Sequence, residues 1–136
     1  LNSYGIINLK DRLVKLGKSL PIMQAISVDD ISALDFAKEY ESVSDYFILD
    51  TSTTKIQGVG ASGKTHDWNI SKAIVENFKV PVILAGGLSP ENVQEAIEIV
   101  KPWGVDSLTH TNRLLDDGSF VKDIEKVKKF FENATN

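Results

Sequence analysis

Two aspartates stand at positions where a folded chain could use them for acid–base chemistry. Asp50 directly follows the apolar run Tyr46–Leu49, and Asp106 ends a second apolar run that starts at Trp103. The carboxyl ends of buried parallel strands are where α/β proteins build their active sites. A carboxyl group at such a strand end either serves a site or caps a loop, and the residues alone leave both interpretations open.

Two adjacent glycines, Gly86 and Gly87, offer an anion-binding loop. They follow the apolar run Val80–Ala85 and precede Ser89-Pro90-Glu91, which has the residue types that begin a helix. Backbone N–H groups of adjacent glycines can approach an anion closely, and the helix dipole adds to the attraction. The alternative is a tight strand-to-helix turn without a ligand.

A third glycine-rich segment, Gly58–Thr65, matches the nucleotide-binding pattern Gly-x-x-x-x-Gly-Lys-Ser/Thr. A nucleotide-binding loop of this kind leaves its strand directly, whereas here seven residues separate Asp50 from Gly58. The nearest acidic strand end also precedes the segment instead of following it. We therefore favour a lid over a site, and we keep a P-loop nucleotide binder as an alternative.

The composition argues against several classes of protein. The 136 residues, of 15.0 kDa, are the size of one domain, and 15 Lys and Arg against 19 Asp and Glu give a net charge of -4, which argues against a nucleic-acid binder. The longest apolar run, Val80–Ala85, is far too short to span a membrane. The chain has no Cys, and His66 and His110 lie far apart, so we expect no metal site and a cytoplasmic location.

Strands and helices alternate along the chain. Four apolar runs have strand character and start near Pro21, Tyr46, Val80 and Trp103. Near-continuous apolar runs of this length are typical of strands buried on both faces of a parallel sheet. The alternation predicts an α/β fold with a parallel sheet.

Five amphipathic segments are predicted to form helices, over residues 9–16 (with Asn8 as the cap), after residues 27–30, from about 67, from Ser89 and over 123–133. In the last helix, we expect four side chains to face inward: Ile124, Val127, Phe130 and Phe131. The lysines of that region are interpreted as a solvated face: Lys122, Lys126, Lys128 and Lys129. Residues 1–4 are interpreted as the end of an earlier strand.

Four segments carry a combined signature: Leu49-Asp50-Thr51 and residues 61–68, 81–93 and 101–106. Together they resemble the phosphoribosylanthranilate isomerase family, in the family's order, from about residue 21 to the C-terminus. The resemblance implies a (β/α)8 TIM-type barrel, of which residues 1–136 would form the C-terminal half, from about strand four or five to helix eight. It also implies an isomerase of tryptophan biosynthesis, which performs an Amadori rearrangement of a phosphorylated aminoribose without a cofactor.

The resemblance also implies roles for individual residues by position. Asp50 corresponds to the general acid that protonates the furanose ring oxygen. Gly86 and Gly87 correspond to part of a phosphate site, to which the segment after the last strand contributes Asp106, Ser107, Thr109 and His110. The lid loop after the sixth strand corresponds to the segment with Gly60, Ser62, Gly63 and Lys64.

Two features depart from the family pattern. The family's general base is a Cys on the first strand, and this chain has no Cys. Leu108 and His110 stand where the family usually has a small hydroxyl residue and a glycine. We therefore keep a second hypothesis, a non-catalytic or repurposed relative that binds a phosphorylated ligand.

The half-barrel interpretation also predicts an association. About four βα units cannot close an eight-stranded barrel, so the strand edges and an inward apolar face would be exposed in a monomer. We expect five residues on that face: Ile22, Ile48, Val82, Leu84 and Val105. The expected partners are a phosphorylated sugar-amine substrate and either an N-terminal half-barrel or a second copy of the chain, with no nucleic acid and no membrane.

Overall fold

A computed structural model describes residues 1–50 and 68–136 of the chain. The expected lid residues Gly60, Ser62, Gly63 and Lys64, the P-loop pattern and His66 all lie outside the described residues.

A parallel sheet forms the centre of the fold, as predicted. Its four strands are β1 (Met23–Ser27), β2 (Tyr46–Asp50), β3 (Val82–Leu84) and β4 (Gly104–Val105), in the order β1-β2-β3-β4. Each strand pairs in parallel with the next one along the chain, with Ala25 opposite Ile48, Ile48 opposite Ile83 and Ile83 opposite Gly104. All four predicted strands are confirmed, although β4 is much shorter than the apolar run that predicted it.

The described residues form five α-helices beside the sheet: α1 (Ser3–Lys15), α2 (Ser32–Tyr40), α3 (Trp68–Asn77), α4 (Val93–Val100) and α5 (Ile124–Thr135). Between β4 and α5 lie a short 3-10 helix (Thr109–Thr111) and an antiparallel hairpin of β5 (Asn112–Leu114) and β6 (Phe120–Lys122). The α/β fold is confirmed, whereas the sequence analysis did not predict the hairpin.

The first helix begins earlier than predicted. Asn2, and not Asn8, caps it, because the Asn2 side chain accepts a hydrogen bond from the Gly5 amide (2.9 Å). The helix continues from Ser3 to Lys15, so the interpretation of residues 1–4 as a strand end is wrong.

The core lies between the sheet and its helices. Side chains alternate between the two faces of a strand, and Phe47 and Leu49 of β2 are fully buried, as is Leu84 of β3. Helix α4 contributes Val93, Ala96 and Val100 to the buried residues. Val82 and Leu84 therefore belong to the covered face, and their expected exposure in the single chain is wrong.

The opposite face of the sheet is open in the described part of the chain. It carries Met23, Ala25, Ile48 and Ile83, of which Met23 is 51% exposed and the two isoleucines are half-buried. Ile48 is the residue on this face that the sequence analysis identified correctly. The expectation that the strands are buried on both faces does not hold within the described residues.

Helix α5 differs from its prediction in which side chains it buries. The start of the helix agrees with the prediction, and Asp123 is its N-cap, since its carboxylate accepts from the amides of Glu125 and Lys126. However, Ile124 is 62% and Phe131 67% exposed, and Val127 is also exposed. Only Phe130 of the four expected residues packs against the core. The described residues therefore cover only part of the apolar side of α5.

Candidate functional site

The expected site residues follow three neighbouring strands at one edge of the sheet. The Ala85 amide donates to the Leu49 carbonyl (2.8 Å), and the Asp106 amide donates to the Leu84 carbonyl (2.9 Å). These bonds extend the pairing of β2 with β3 and of β3 with β4 to the carboxyl end of the sheet. The structure therefore brings Asp50, Gly86 and Ser107 to the same edge, because each is the residue that follows one of these bonded positions.

Asp50 is the last residue of β2. Its carbonyl accepts from the Val28 amide (3.0 Å), and Ser27 of β1 is its register partner. Leu49 is fully buried, so alternation directs the Asp50 side chain to the open side of the sheet, where it is exposed. The carboxylate is thus accessible to a ligand at the strand end and is not enclosed by the described residues.

A groove of about 510 Å³ lies beside Asp50, between the ends of β1 and β2 and the first turns of α2. Its walls combine apolar side chains with a few polar ones: Ala25, Ile26, Ser27, Ser32, Ala33, Phe36 and Asp50. The Ser27 hydroxyl donates to the Asp29 carboxylate (2.6 Å). A groove of this size can hold a small molecule.

The glycine loop after β3 has the backbone conformation that only glycine adopts readily. Gly86 has φ +80 and Gly87 has φ +73, both in the left-handed region. Within residues 1–50 and 68–136, the amides of Gly86 and Gly87 donate to no acceptor. Two N–H groups of this loop are therefore available to a ligand, as an anion site requires.

Asn92, which the sequence analysis did not single out, holds this loop in place. Its side-chain amide donates to the Gly87 carbonyl (3.1 Å), and its side-chain oxygen accepts from the Ser89 amide (2.8 Å). The signal in the sequence is an Asn within the first turn after Ser89 and Pro90. Asn92 thus fixes the Gly87 carbonyl, whereas no acceptor for the Gly86 and Gly87 N–H groups lies in the described part of the chain.

Helix α4 starts later than predicted, with Asn92 and not Ser89 at its N-cap position, and Ser89 instead begins a turn that precedes the helix. The Ser89 hydroxyl accepts from the Glu91 amide (3.2 Å), although the regular helix begins only at Val93. The Ser89 hydroxyl and then the Lys129 ammonium hold the pKa of Glu91 below its usual value. Because Lys129 belongs to α5, this ion pair (3.2 Å) connects the last helix to the glycine loop.

The segment after β4 reaches the glycine loop through one residue. The Ser107 hydroxyl donates to the Leu88 carbonyl (2.6 Å), which joins the two loops. Asp106 is exposed beside them. Thr109 and His110 are exposed in the short 3-10 helix, and no described contact joins their side chains to the glycine loop.

The four lysines near the end of the chain are exposed as expected, but two of them also bond to backbone carbonyls. The Lys122 ammonium donates to the Leu108 carbonyl and to the Thr111 hydroxyl, both at 2.8 Å. The Lys126 ammonium donates to the Asn112 carbonyl (2.9 Å). These contacts hold the segment after β4 in place. The spacing of the lysines along the sequence does not predict them.

The described residues contain no group of three or more His, Cys, Asp or Glu side chains that could hold a metal ion. No helix in the described ranges has the length and apolar character that crossing a membrane requires.

Comparison with known proteins gives a consistent result. A family model described as N-(5'phosphoribosyl)anthranilate (PRA) isomerase matches residues 8–133. An N-(5'-phosphoribosyl)anthranilate isomerase of Methanosarcina mazei is 43% identical over 129 residues, which are 93% of this chain and 55% of that protein. The chain spans about half the length of the curated relatives it matches.

Solved structures show the same relationship at the level of the fold. The phosphoribosyl anthranilate isomerase of Thermotoga maritima superimposes with a TM-score of 0.68 at 30% identity, over 89% of this chain and 54% of that one. A second isomerase structure, in complex with reduced 1-(o-carboxyphenylamino)-1-deoxyribulose 5-phosphate, gives a TM-score of 0.66 at 26% identity over 94% and 54%. The four-stranded parallel sheet thus corresponds to about half of a TIM-type barrel.

Proposed function

The chain belongs to the N-(5'-phosphoribosyl)anthranilate isomerase family, and we propose that it forms the C-terminal half of an isomerase barrel. The proposed reaction is the Amadori rearrangement, in which a phosphorylated aminoribose becomes the corresponding aminodeoxyribulose. The observation that carries the proposal is the convergence of Asp50, Gly86-Gly87 and Ser107 at the carboxyl edge of one sheet.

The glycine loop is proposed to bind the substrate's phosphate. The unpaired amides of Gly86 and Gly87 supply two donors, and the Ser107 contact with Leu88 keeps the neighbouring segment beside them. Asp106, Thr109 and His110 belong to the same segment and are proposed to contact the substrate from it. An isomerase structure similar to this chain contains a deoxyribulose 5-phosphate derivative, which supports a phosphorylated ligand.

Asp50 is proposed to be the general acid. Opening the furanose ring breaks the C1–O bond, and the ring oxygen must gain a proton as its bonding electrons leave C1. The carboxyl group at the end of β2 can donate that proton to a sugar whose phosphate lies at the loop after the next strand. The groove beside Asp50 provides room for the rest of the substrate.

The second proton transfer requires a partner. Removal of the proton from C2 needs a base, and this chain has no Cys to match the family's base. We propose that an N-terminal half-barrel supplies the base and packs on the open face of the sheet. The matched isomerases are about twice as long as the aligned part of this chain, which supports a partner of that size.

A repurposed relative is the alternative function. Leu108 is 69% exposed in the segment that is proposed to approach phosphate, and a leucine side chain offers no hydrogen bond there. Such a protein would bind a phosphorylated ligand without isomerising it. For either function we expect a cytoplasmic location, in agreement with the lack of Cys.

The test of the isomerase function is Asp50→Asn in the assembled barrel. General acid catalysis contributes typically about 10²–10⁴-fold, so we expect turnover to fall by at least about 10²-fold. The variant should keep its melting temperature, since Asn is nearly isosteric and the Val28 bond involves the Asp50 backbone.

The control is Asp11→Asn, which removes a carboxylate from the exposed side of α1 and should leave turnover unchanged. Near-normal turnover of Asp50→Asn would remove Asp50 as the acid. Loss of stability with little loss of rate would instead indicate a loop-capping role.

A further inference from the structure

Side chains of β6 and α5 donate hydrogen bonds to backbone carbonyls in both loops of the proposed phosphate site. Lys122 reaches the Leu108 carbonyl (2.8 Å), and Asn133 reaches the Pro90 carbonyl (2.7 Å). Carbonyl oxygens repel an anion, whereas N–H groups attract it. The two contacts hold the Leu108 carbonyl toward β6 and the Pro90 carbonyl toward α5. They therefore favour loops whose N–H groups, and not these carbonyls, face a bound anion.

Lys122 is connected to the glycine loop by a short series of hydrogen bonds. Its ammonium donates to the Thr111 hydroxyl (2.8 Å). That buried hydroxyl has one proton, which it shares between the Ser107 carbonyl (3.2 Å) and the Leu108 carbonyl (3.1 Å). The Ser107 hydroxyl then donates to the Leu88 carbonyl (2.6 Å), next to Gly87. A displacement of Lys122 would thus be transmitted to the residue that joins the two loops.

The positive charge of Lys122 is not neutralised by an ion pair with any described residue. Its sequence neighbour Asp123 accepts instead from the amides of Glu125 and Lys126. Lys126 likewise has no ion pair within the described ranges, whereas Lys128 pairs with Glu125 and Lys129 with Glu91. Lys122 thus places a positive charge on the segment that the Ser107 hydroxyl joins to the glycine loop. A positive charge there increases the attraction for an anion.

We propose that Lys122 is a positioning residue of the phosphate site, which holds the segment after β4 in place and adds a positive charge to it. This inference rests on the proposed function, because it takes the glycine loop as the place where phosphate binds. It adds a residue that lies outside the family signature segments on which the sequence analysis depended.

The experiment measures the affinity of the protein for inorganic phosphate by calorimetric titration. Lys122→Gln keeps a hydrogen-bond donor but removes the charge, and we expect it to weaken phosphate binding by about tenfold. Lys122→Arg keeps the charge and should stay within about threefold of the original affinity. Because salt screens charge, the loss in Lys122→Gln should become smaller at high ionic strength.

The matched control is Lys126→Gln. Lys126 also donates to a backbone carbonyl, that of Asn112, whereas the ammonium that donates to the Thr111 hydroxyl is that of Lys122. If both lysines have a purely structural role, both variants should melt at lower temperatures but bind phosphate as tightly as the original protein. This result would overturn the proposal. Equal losses of phosphate affinity in the two variants would also overturn it.

Phosphate binding by the original protein separates a test of Lys122 from a test of the glycine-loop site. If it binds phosphate and Lys122→Gln binds equally well, the role of Lys122 is wrong and the glycine-loop site stands. If the starting protein binds no phosphate, both the Lys122 proposal and the phosphate site are wrong.

Discussion

Gly86 and Gly87 have positive φ angles, which residues other than glycine rarely adopt. A Cβ added at Gly87 would meet nothing within 4 Å, so space does not exclude a side chain there. The φ of +73 does, because this region costs L-residues with a Cβ roughly 1–2 kcal/mol. The glycine at position 87 thus allows the conformation in which the loop N–H groups stay accessible, as the proposed phosphate site requires.

Gly87→Val tests this at the level of one residue. Millimolar phosphate should raise the melting temperature of the original protein, because a ligand that binds only the folded state stabilises it. We expect the variant to lose this shift, since a branched side chain obstructs the approach of an anion to the amides. Differential scanning fluorimetry with and without phosphate measures it.

Gly17→Val is the matched control, because Gly17 also has a positive φ (+66) and open space around its Cβ position. Both variants should lose basal stability to a similar extent, while only Gly87→Val loses the phosphate effect. A shift that persists in Gly87→Val would place the anion elsewhere.

At the level of elements, Asp45 joins the first helix to the sheet. Its carboxylate accepts from the Ile22 amide (2.7 Å) and from the Lys10 ammonium of α1 (3.1 Å). The Ile22 amide first, and Lys10 second, hold the pKa of Asp45 below its usual value. A carboxyl group with a lowered pKa stabilises the fold while it is ionised, and this contribution disappears as the pH falls through the folded-state pKa.

Asp45→Asn should therefore destabilise the protein in a pH-dependent manner. The side chain is 43% exposed, so we expect a loss of only about 1 kcal/mol at pH 7, after allowance for solvent screening. The loss should be complete above the unfolded-state pKa, about 4, and should shrink below it, as urea unfolding at several pH values would show. Asp11→Asn serves as the comparison, and an equal effect of Asp45→Asn at pH 3 and pH 7 would contradict the role assigned to the charge.

The elements also show how far the sequence predicts this structure. The runs at Tyr46 and Val80 predict β2 and β3 because their apolar side chains are continuous. The helical spacing of apolar residues over 123–133 predicts α5 because that periodicity is local. Lys122 and Asn92 hold two loops in place through hydrogen bonds to backbone carbonyls. The periodicity of the sequence does not predict such contacts. The burial of α5 was overestimated for a related reason, since an apolar stripe does not reveal whether the same chain covers it.

For the molecule as a whole, the main structural feature is an open sheet with two unpaired edges among the described residues. Strand β1 forms one edge and β4 the other, and the face that carries Ile48 and Ile83 has no covering layer in the described part of the chain. Exposed edges and apolar faces promote association. This open face is the surface on which the proposed second half-barrel would pack.

Without an N-terminal partner, this open face should make the chain associate with itself. We expect light scattering to give a mass of at least twice the 15.0 kDa of the single chain. Ile83→Lys places a charge in the middle of the open face, next to Ile48 and Gly104, and should shift the protein toward the monomer.

Ile99→Lys is the control. Ile99 is also partly exposed (37%), but it lies on α4, on the covered side of the sheet. The Ile99→Lys variant should therefore associate like the original chain. If the original chain is a compact, stable monomer, the open face does not require a partner, and the half-barrel assembly proposed here is wrong.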